Sequence, residues 1–139
     1  MKKTIFAAAA FLLVAGVSFA GKVVAPSALP GKVTAFVAQH FPESEIVFAE
    51  ADYDEYEVQL DDRTEITFTR GGDWKEVECW NGVPSAILPE SVLSVAGEKY
   101  PDETIVKAEK KRKGYELKLS NRMELYFSPN GKFLGAKHD

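Results

Sequence analysis

The groups with which this chain could do chemistry are two histidines, one cysteine and a surplus of carboxylates. His40 closes an apolar-periodic stretch and His138 stands next to the C-terminus, so the sequence offers no His-Glu-x-x-His pair and no Cys/His cluster. There is no Gly-x-Ser-x-Gly and no glycine-rich phosphate loop. Metal-assisted hydrolysis, serine hydrolysis and nucleotide chemistry therefore lack their usual apparatus. Asp52-Tyr53-Asp54-Glu55 has the flavour of a calcium loop, but lacks the glycine at position six and the glutamate at position twelve that such a loop needs. Cys79 has no sequence partner for a disulfide and reads as a small half-buried residue. The expectation is a protein that is not an enzyme, with no catalytic residues, no metal site and no cofactor.

What the carboxylates do show is recurrence. Glu57, Arg63 and Glu65 return as Glu116, Arg122 and Glu124, an offset of 59 residues. The offset holds without a gap for about fifty residues, the kind of internal period that signals a duplicated unit. Phe41-Pro42 falls on Tyr100-Pro101, Tyr56 on Tyr115, Phe68 on Phe127 and Gly72 on Gly131. Recurrence of the charged residues fits a shared function. It fits equally a turn and a wet outer face that suit the unit.

The elements that must position these residues are legible in outline. Leu29-Pro30 and Leu88-Pro89 each open an apolar stripe at helical spacing: Val33, Phe36, Val37 and Phe41, then Val92, Val95, Ala96 and Tyr100. Pro42 and Pro101 end the two helices. Short runs rich in β-branched and aromatic residues follow each one. Tyr56, Val58 and Leu60 alternate with Glu57 and Gln59, which means one dry and one wet face. A three-residue turn through Arg63 sets Val58 opposite Ile66 and Tyr56 opposite Phe68; the second copy sets Leu117 opposite Leu125 and Tyr115 opposite Phe127. A one-residue slip would invert every side chain, so this register is the expected one. Val77 is out of step with Trp74, which suggests a bulge in the last strand. Each copy alone is too small to bury much surface. The expected fold class is α+β: two tandem helix-plus-antiparallel-sheet repeats, 29–79 and 88–138, sharing one sheet or core, with both helices on one face and the other face open.

The N-terminus reads as a secretory leader, with Met1-Lys2-Lys3, an apolar stretch from Ile5 to Val17, and small residues Ser18 and Ala20 around a cleavage point. The expected domains are therefore a signal peptide, 1–20, and a single mature domain, 21–139, periplasmic or secreted and not held in a membrane. Gly21–Ala28 reads as a flexible lead. The full chain carries −4, and loss of Lys2 and Lys3 makes it −6. Residues 29–80 hold 4 basic and 13 acidic groups, while residues 88–139 hold 10 basic and 8 acidic. Net acidity argues against nucleic acid as a partner.

In order, Leu-Pro, the helix ending in Phe-Pro or Tyr-Pro, Ile-Val-x-Ala-Glu, Tyr-Glu-Val-x-Leu or Tyr-Glu-Leu-x-Leu, Glu-Ile-x-Phe or Glu-Leu-x-Phe, and a glycine before an aromatic resemble the PepSY-like family of small secreted bacterial proteins. That family's fold is similar to β-lactamase-inhibitor proteins. The resemblance implies an extracytoplasmic protein-binding module, including an inhibitor or regulator of a hydrolase or peptidase, and brings no catalytic residues with it. A small-molecule or peptide carrier of the cell envelope is the alternative. The residues expected to meet a protein partner are Tyr126, Trp80, Glu57, Glu65, Glu116, Glu124, Lys111 and Arg112, on a face acidic at one end and basic at the other with Tyr126 near its centre. The mature protein is expected to begin at Gly21; the intact mass of the secreted product checks this, and a product retaining residues 1–20 contradicts it.

Overall fold

The computed structural model describes residues 21–139, and the expected leader lies outside the described residues. Nine strands form one antiparallel sheet in strict sequence order. They are β1 (Lys22–Val23), β2 (Ile46–Ala51), β3 (Glu55–Leu60), β4 (Glu65–Thr69), β5 (Trp74–Glu78), β6 (Ile105–Lys111), β7 (Gly114–Leu119), β8 (Met123–Phe127) and β9 (Phe133–His138). Two ten-residue helices, α1 (Gly31–His40) and α2 (Glu90–Lys99), and two three-residue 3-10 turns complete the described chain. None of its helices is long and apolar enough to cross a membrane.

This corrects the expected fold class. The described chain is mostly β, a single nine-stranded sheet, and not an α+β pair of helix-plus-sheet repeats. Two local facts make the sheet continuous. The connection after β5 is held close to β6, where the Cys79 N–H bonds the Val106 carbonyl at 2.8 Å and the Val83 N–H bonds the Ile105 carbonyl at 2.8 Å. Backbone pairing therefore runs on from β5 to β6 and leaves no boundary between halves. The N-terminal lead, expected to be flexible, instead supplies β1, which pairs Lys22 with Ala51 and Val23 with Glu50.

Each short helix has a local cause and a local end. Pro30 and Pro89 sit one residue ahead of the helices as their caps. Phe41 and Tyr100 leave helical geometry, with their N–H groups bonded to the carbonyls of Val37 and Ala96, and a proline follows each. The helices lie on the sheet through Val33, Val37, Val92 and Ala96, all buried, and the Phe36 ring meets Phe68 edge-on at 5.4 Å. The turn after β4 and the turn after β8 tuck under the helix starts. Gly131 has φ +86, and a Cβ there would collide with the Ser91 hydroxyl, so only glycine lets that turn approach.

Register follows the pattern of dry and wet positions. Tyr56 faces Phe68 and Val58 faces Ile66; Tyr115 faces Phe127 and Leu117 faces Leu125, as the three-residue turns require. Arg63 and Arg122 occupy the left-handed position of those turns, both at φ 74. Asp62 and Asn121 accept the N–H two residues on, from Thr64 and Met123. The last strand of each hairpin carries the suspected bulge: Phe68 pairs Trp74 while Thr67 pairs Glu76, and Phe127 pairs Phe133 while Tyr126 pairs Gly135. Lys75 and Leu134 are the extra residues.

Ala49, Val58, Ile66, Val77, Ala108, Leu117 and Leu125 line up strand by strand from β2 to β8, each no more than 1% exposed. Cys79 is buried and accepts the Thr64 hydroxyl at 3.2 Å, which gives it a packing role. Phe68 and Phe127 are the largest fully buried side chains. Replacing either with alanine should destabilise by roughly 3–5 kcal/mol, measured by denaturant unfolding; a loss well under ~1 kcal/mol at both would contradict the shared core.

Candidate functional site

The side chains that alternate with the buried row form a second row on the opposite face. Glu50 pairs Glu57, Glu57 pairs Thr67, Thr67 pairs Glu76, Glu76 pairs Glu109, Glu109 pairs Glu116 and Glu116 pairs Tyr126. The adjacent row runs Gln59, Glu65, Glu78, Lys107, Lys118, Glu124 and Lys137. Carboxylates thus stand directly opposite one another at four strand pairs: Glu50–Glu57, Glu65–Glu78, Glu76–Glu109 and Glu109–Glu116. Like charges so placed are destabilising.

Lysines offset part of this. Lys75 reaches Glu55 at 2.9 Å, Lys107 reaches Glu76 at 3.5 Å, and Lys111 reaches Glu116 at 2.8 Å and Glu109 at 4.0 Å. Glu57 is in no ion pair among the described residues. Partial burial, followed by the charges of Glu65, Glu50, Glu55 and Glu76, pushes its pKa up to about 7. Burial and Glu78 raise Glu65; burial and Glu76 raise Glu109. A hollow of about 430 Å³ opens here, lined by Glu55, Glu57, Thr67, Glu76 and Glu109 together with Lys75, Lys110 and Lys111.

The residues singled out in the sequence fall around this surface unevenly. Glu57, Glu65, Glu116 and Glu124 all lie on the polar face. Tyr126 is there too, its hydroxyl donating to Glu124 at 2.6 Å, a bond that raises its pKa to about 12. It sits on β8, next to the edge strand, so the centre of the face belongs to β5 and Glu76, not to Tyr126. Lys111 is central but tied to Glu116, and Arg112 is exposed in the turn between β6 and β7. Carboxylates continue into the second half of the face as Glu109, Glu116 and Glu124, where they stand among Lys107, Lys118 and Lys137. Trp80 does not close the core; it is 70% exposed. Sequence reasoning missed Glu50, Glu76 and Glu109. Glu50 and Glu109 were available as equivalent repeat positions, but Glu76 became part of the site only through pairing across the β5–β6 seam.

Among the described residues no group of three or more His, Cys, Asp or Glu side chains is arranged to hold a metal ion. A row spread one residue per strand places its carboxylates side by side along the sheet without converging them on a point.

Comparison with known proteins places this architecture. A family model described as "Putative beta-lactamase-inhibitor-like, PepSY-like" matches residues 17–71 and 54–135. Among solved structures, a "putative calcium-regulated periplasmic protein" from Bacteroides thetaiotaomicron is similar at 32% identity and TM-score 0.81, over 85% of this chain and 97% of that one. A periplasmic protein of unknown function from Bacteroides vulgatus is similar at 31% identity and TM-score 0.80, over 84% of this chain and 98% of that one. No curated protein matches the chain.

The raised Glu57 pKa has a defined sign for stability. Its folded-state value of about 7 lies above the ordinary 4.5, so the folded chain holds the extra proton between these values. The associated stability is complete below the ordinary value and is lost as pH rises through about 7. The protein should therefore melt higher at pH 5.5 than at pH 8. Glu57→Gln should remove much of that difference and raise stability at pH 8 by about 1 kcal/mol, a figure already reduced for solvent screening at a half-exposed site. Thermal melts at the two pH values check this; an unchanged difference in the variant contradicts it.

Proposed function

The chain belongs to the PepSY-like, β-lactamase-inhibitor-like family, and on that premise we propose that it is an extracytoplasmic, non-enzymatic binding module whose polar sheet face receives a protein partner. One observation carries this reading: carboxylates are held against each other across the centre of a sheet face that neither helix covers. Glu57 and its neighbours weaken the isolated fold, and perturbed groups of this kind concentrate at working surfaces. A partner that brings Lys or Arg side chains to the row would relieve the repulsion. The periplasmic descriptions of the solved neighbours support an envelope location. Restraint of a hydrolase or peptidase would be one use of such a module.

The carrier alternative has less support. Phe36, Phe68, Trp74 and Phe127 fill the layer between helices and sheet, and the hollow over Glu57 is lined by charged groups.

The test begins with affinity capture from periplasmic extract at low and high salt. Binding kinetics of the captured partner then decide. Charge reversal by Glu57→Lys with Glu76→Lys should slow association about tenfold or more at low salt and flatten its salt dependence, because steering by surface charge acts mainly on the on-rate. Tyr126→Ala should weaken binding by more than ~1 kcal/mol if the contact extends to β8. Association that is unchanged by the double reversal would overturn the assignment of this face.

A further inference from the structure

At one end of the polar face, below the carboxylate row, a different surface is built where β5 meets β6. Trp80 is 70% exposed, yet its backbone is held on both sides. The Cys79 N–H bonds the Val106 carbonyl at 2.8 Å, the Gly82 N–H bonds the Cys79 carbonyl at 3.0 Å, and the Val83 N–H bonds the Ile105 carbonyl at 2.8 Å. Gly82 turns the chain at φ +112. The indole is thus displayed from a fixed turn, and little backbone ordering would be needed for it to serve as an anchor.

Beside it lies Val106, the extra residue of the bulge between Ile105 and Lys107. Val106 is 5% exposed but stands outside the main core cluster. Its counterpart in the first half, Val47, is 59% exposed. Val106 and Trp80 share a hollow of about 260 Å³, whose rim holds Lys107, Lys118, Arg122 and Glu78. Three cations face one carboxylate there, the reverse of the row above. Glu76 and Asp139 bind Lys107 and Lys118 from outside the hollow, while Arg122 is in no ion pair among the described residues. The hollow draws Glu78 and Trp80 from before the seam and the remaining residues from after it, so it exists only because the two halves are joined.

Resting on the reading that this face docks a protein, we propose that the Trp80 hollow is an anchor site for a partner segment carrying a large apolar side chain next to a carboxylate. The apolar group would lie on Val106 against the indole, and the carboxylate would meet Arg122 and the neighbouring ammonium groups. An aromatic beside an arginine over an apolar floor is the composition that dominates protein contacts, and Arg can take a carboxylate with two parallel hydrogen bonds.

The probe is the acetylated, amidated tripeptide Asp-Phe-Asp, titrated into the ¹⁵N-labelled mature chain. Saturable shifts are expected at the Trp80 indole N–H and at the Lys107 and Arg122 amides. Lys-Phe-Lys and Asp-Ala-Asp should each bind there about fivefold more weakly or worse. Trp80→Ala and Arg122→Asn should each weaken the acidic peptide by about fivefold. Asn tolerates the left-handed backbone at that turn, and melting curves confirm that both variants fold. Absence of saturable shifts, or equal binding of Lys-Phe-Lys at the same signals, would overturn the proposal. If Lys-Phe-Lys shifts the Glu57, Glu76 and Glu109 amides while Asp-Phe-Asp leaves the hollow untouched, the anchor falls and the docking face stands. If neither peptide perturbs the face, both fall.

Discussion

The pairing of β5 with β6 is the interaction on which the rest of the structure depends. It consists of Val77 opposite Ala108, flanked by Glu76 opposite Glu109 and Glu78 opposite Lys107. Val77 and Ala108 complete the buried row that runs under both helices. Because side chains alternate across a strand, burying that pair obliges Glu76 and Glu109 to meet on the other side. A one-residue slip would separate the glutamates but would turn the whole apolar set outward. The burial is worth more than the repulsion, so the chain accepts the repulsion. The carboxylate row is therefore a direct consequence of the core.

The same seam creates the second feature of the polar face. The bulge in β6 turns Val106 out of the main core, and the hydrogen bonds that close the strand connection hold Trp80 beside it. A bulge is a common way to re-aim a side chain near a working surface. Along one face the protein thus presents carboxylates at the centre and an indole with cations at one end. A partner that satisfied both would need two different chemistries at a set spacing, and that requirement is a source of specificity beyond affinity. Most of the polar groups involved are half-exposed, so their attraction for a partner would be strongest at low salt.

Much of this was legible in the residues. The alternation of Tyr56, Val58 and Leu60 with Glu57 and Gln59 determined which side chains are dry, and the spacing to Ile66 and Phe68 determined the hairpin register, because only one register keeps the faces separate. Prolines at 30, 42, 89 and 101 determined where the helices start and stop. Arg63 and Arg122 both occupy the left-handed position of their turns, which gives that recurring pair a shared structural place. These are local determinants, each acting within a few residues, and a single sequence displays them.

What the tertiary structure alone decided is everything that depends on contact across a long separation. Whether two duplicated stretches form neighbouring units or one continuous sheet is set by backbone hydrogen bonds between β5 and β6, and backbone groups carry no sequence signature. The incorporation of Lys22–Val23 as a strand depends on an edge that β2 offers once folded. Glu76 gained its meaning only by standing opposite Glu109, and Trp80 only by being held outside the core beside Val106. The local alternation written in the sequence determined which residues could face water; the pairing of strands far apart in the chain decided which of them face each other.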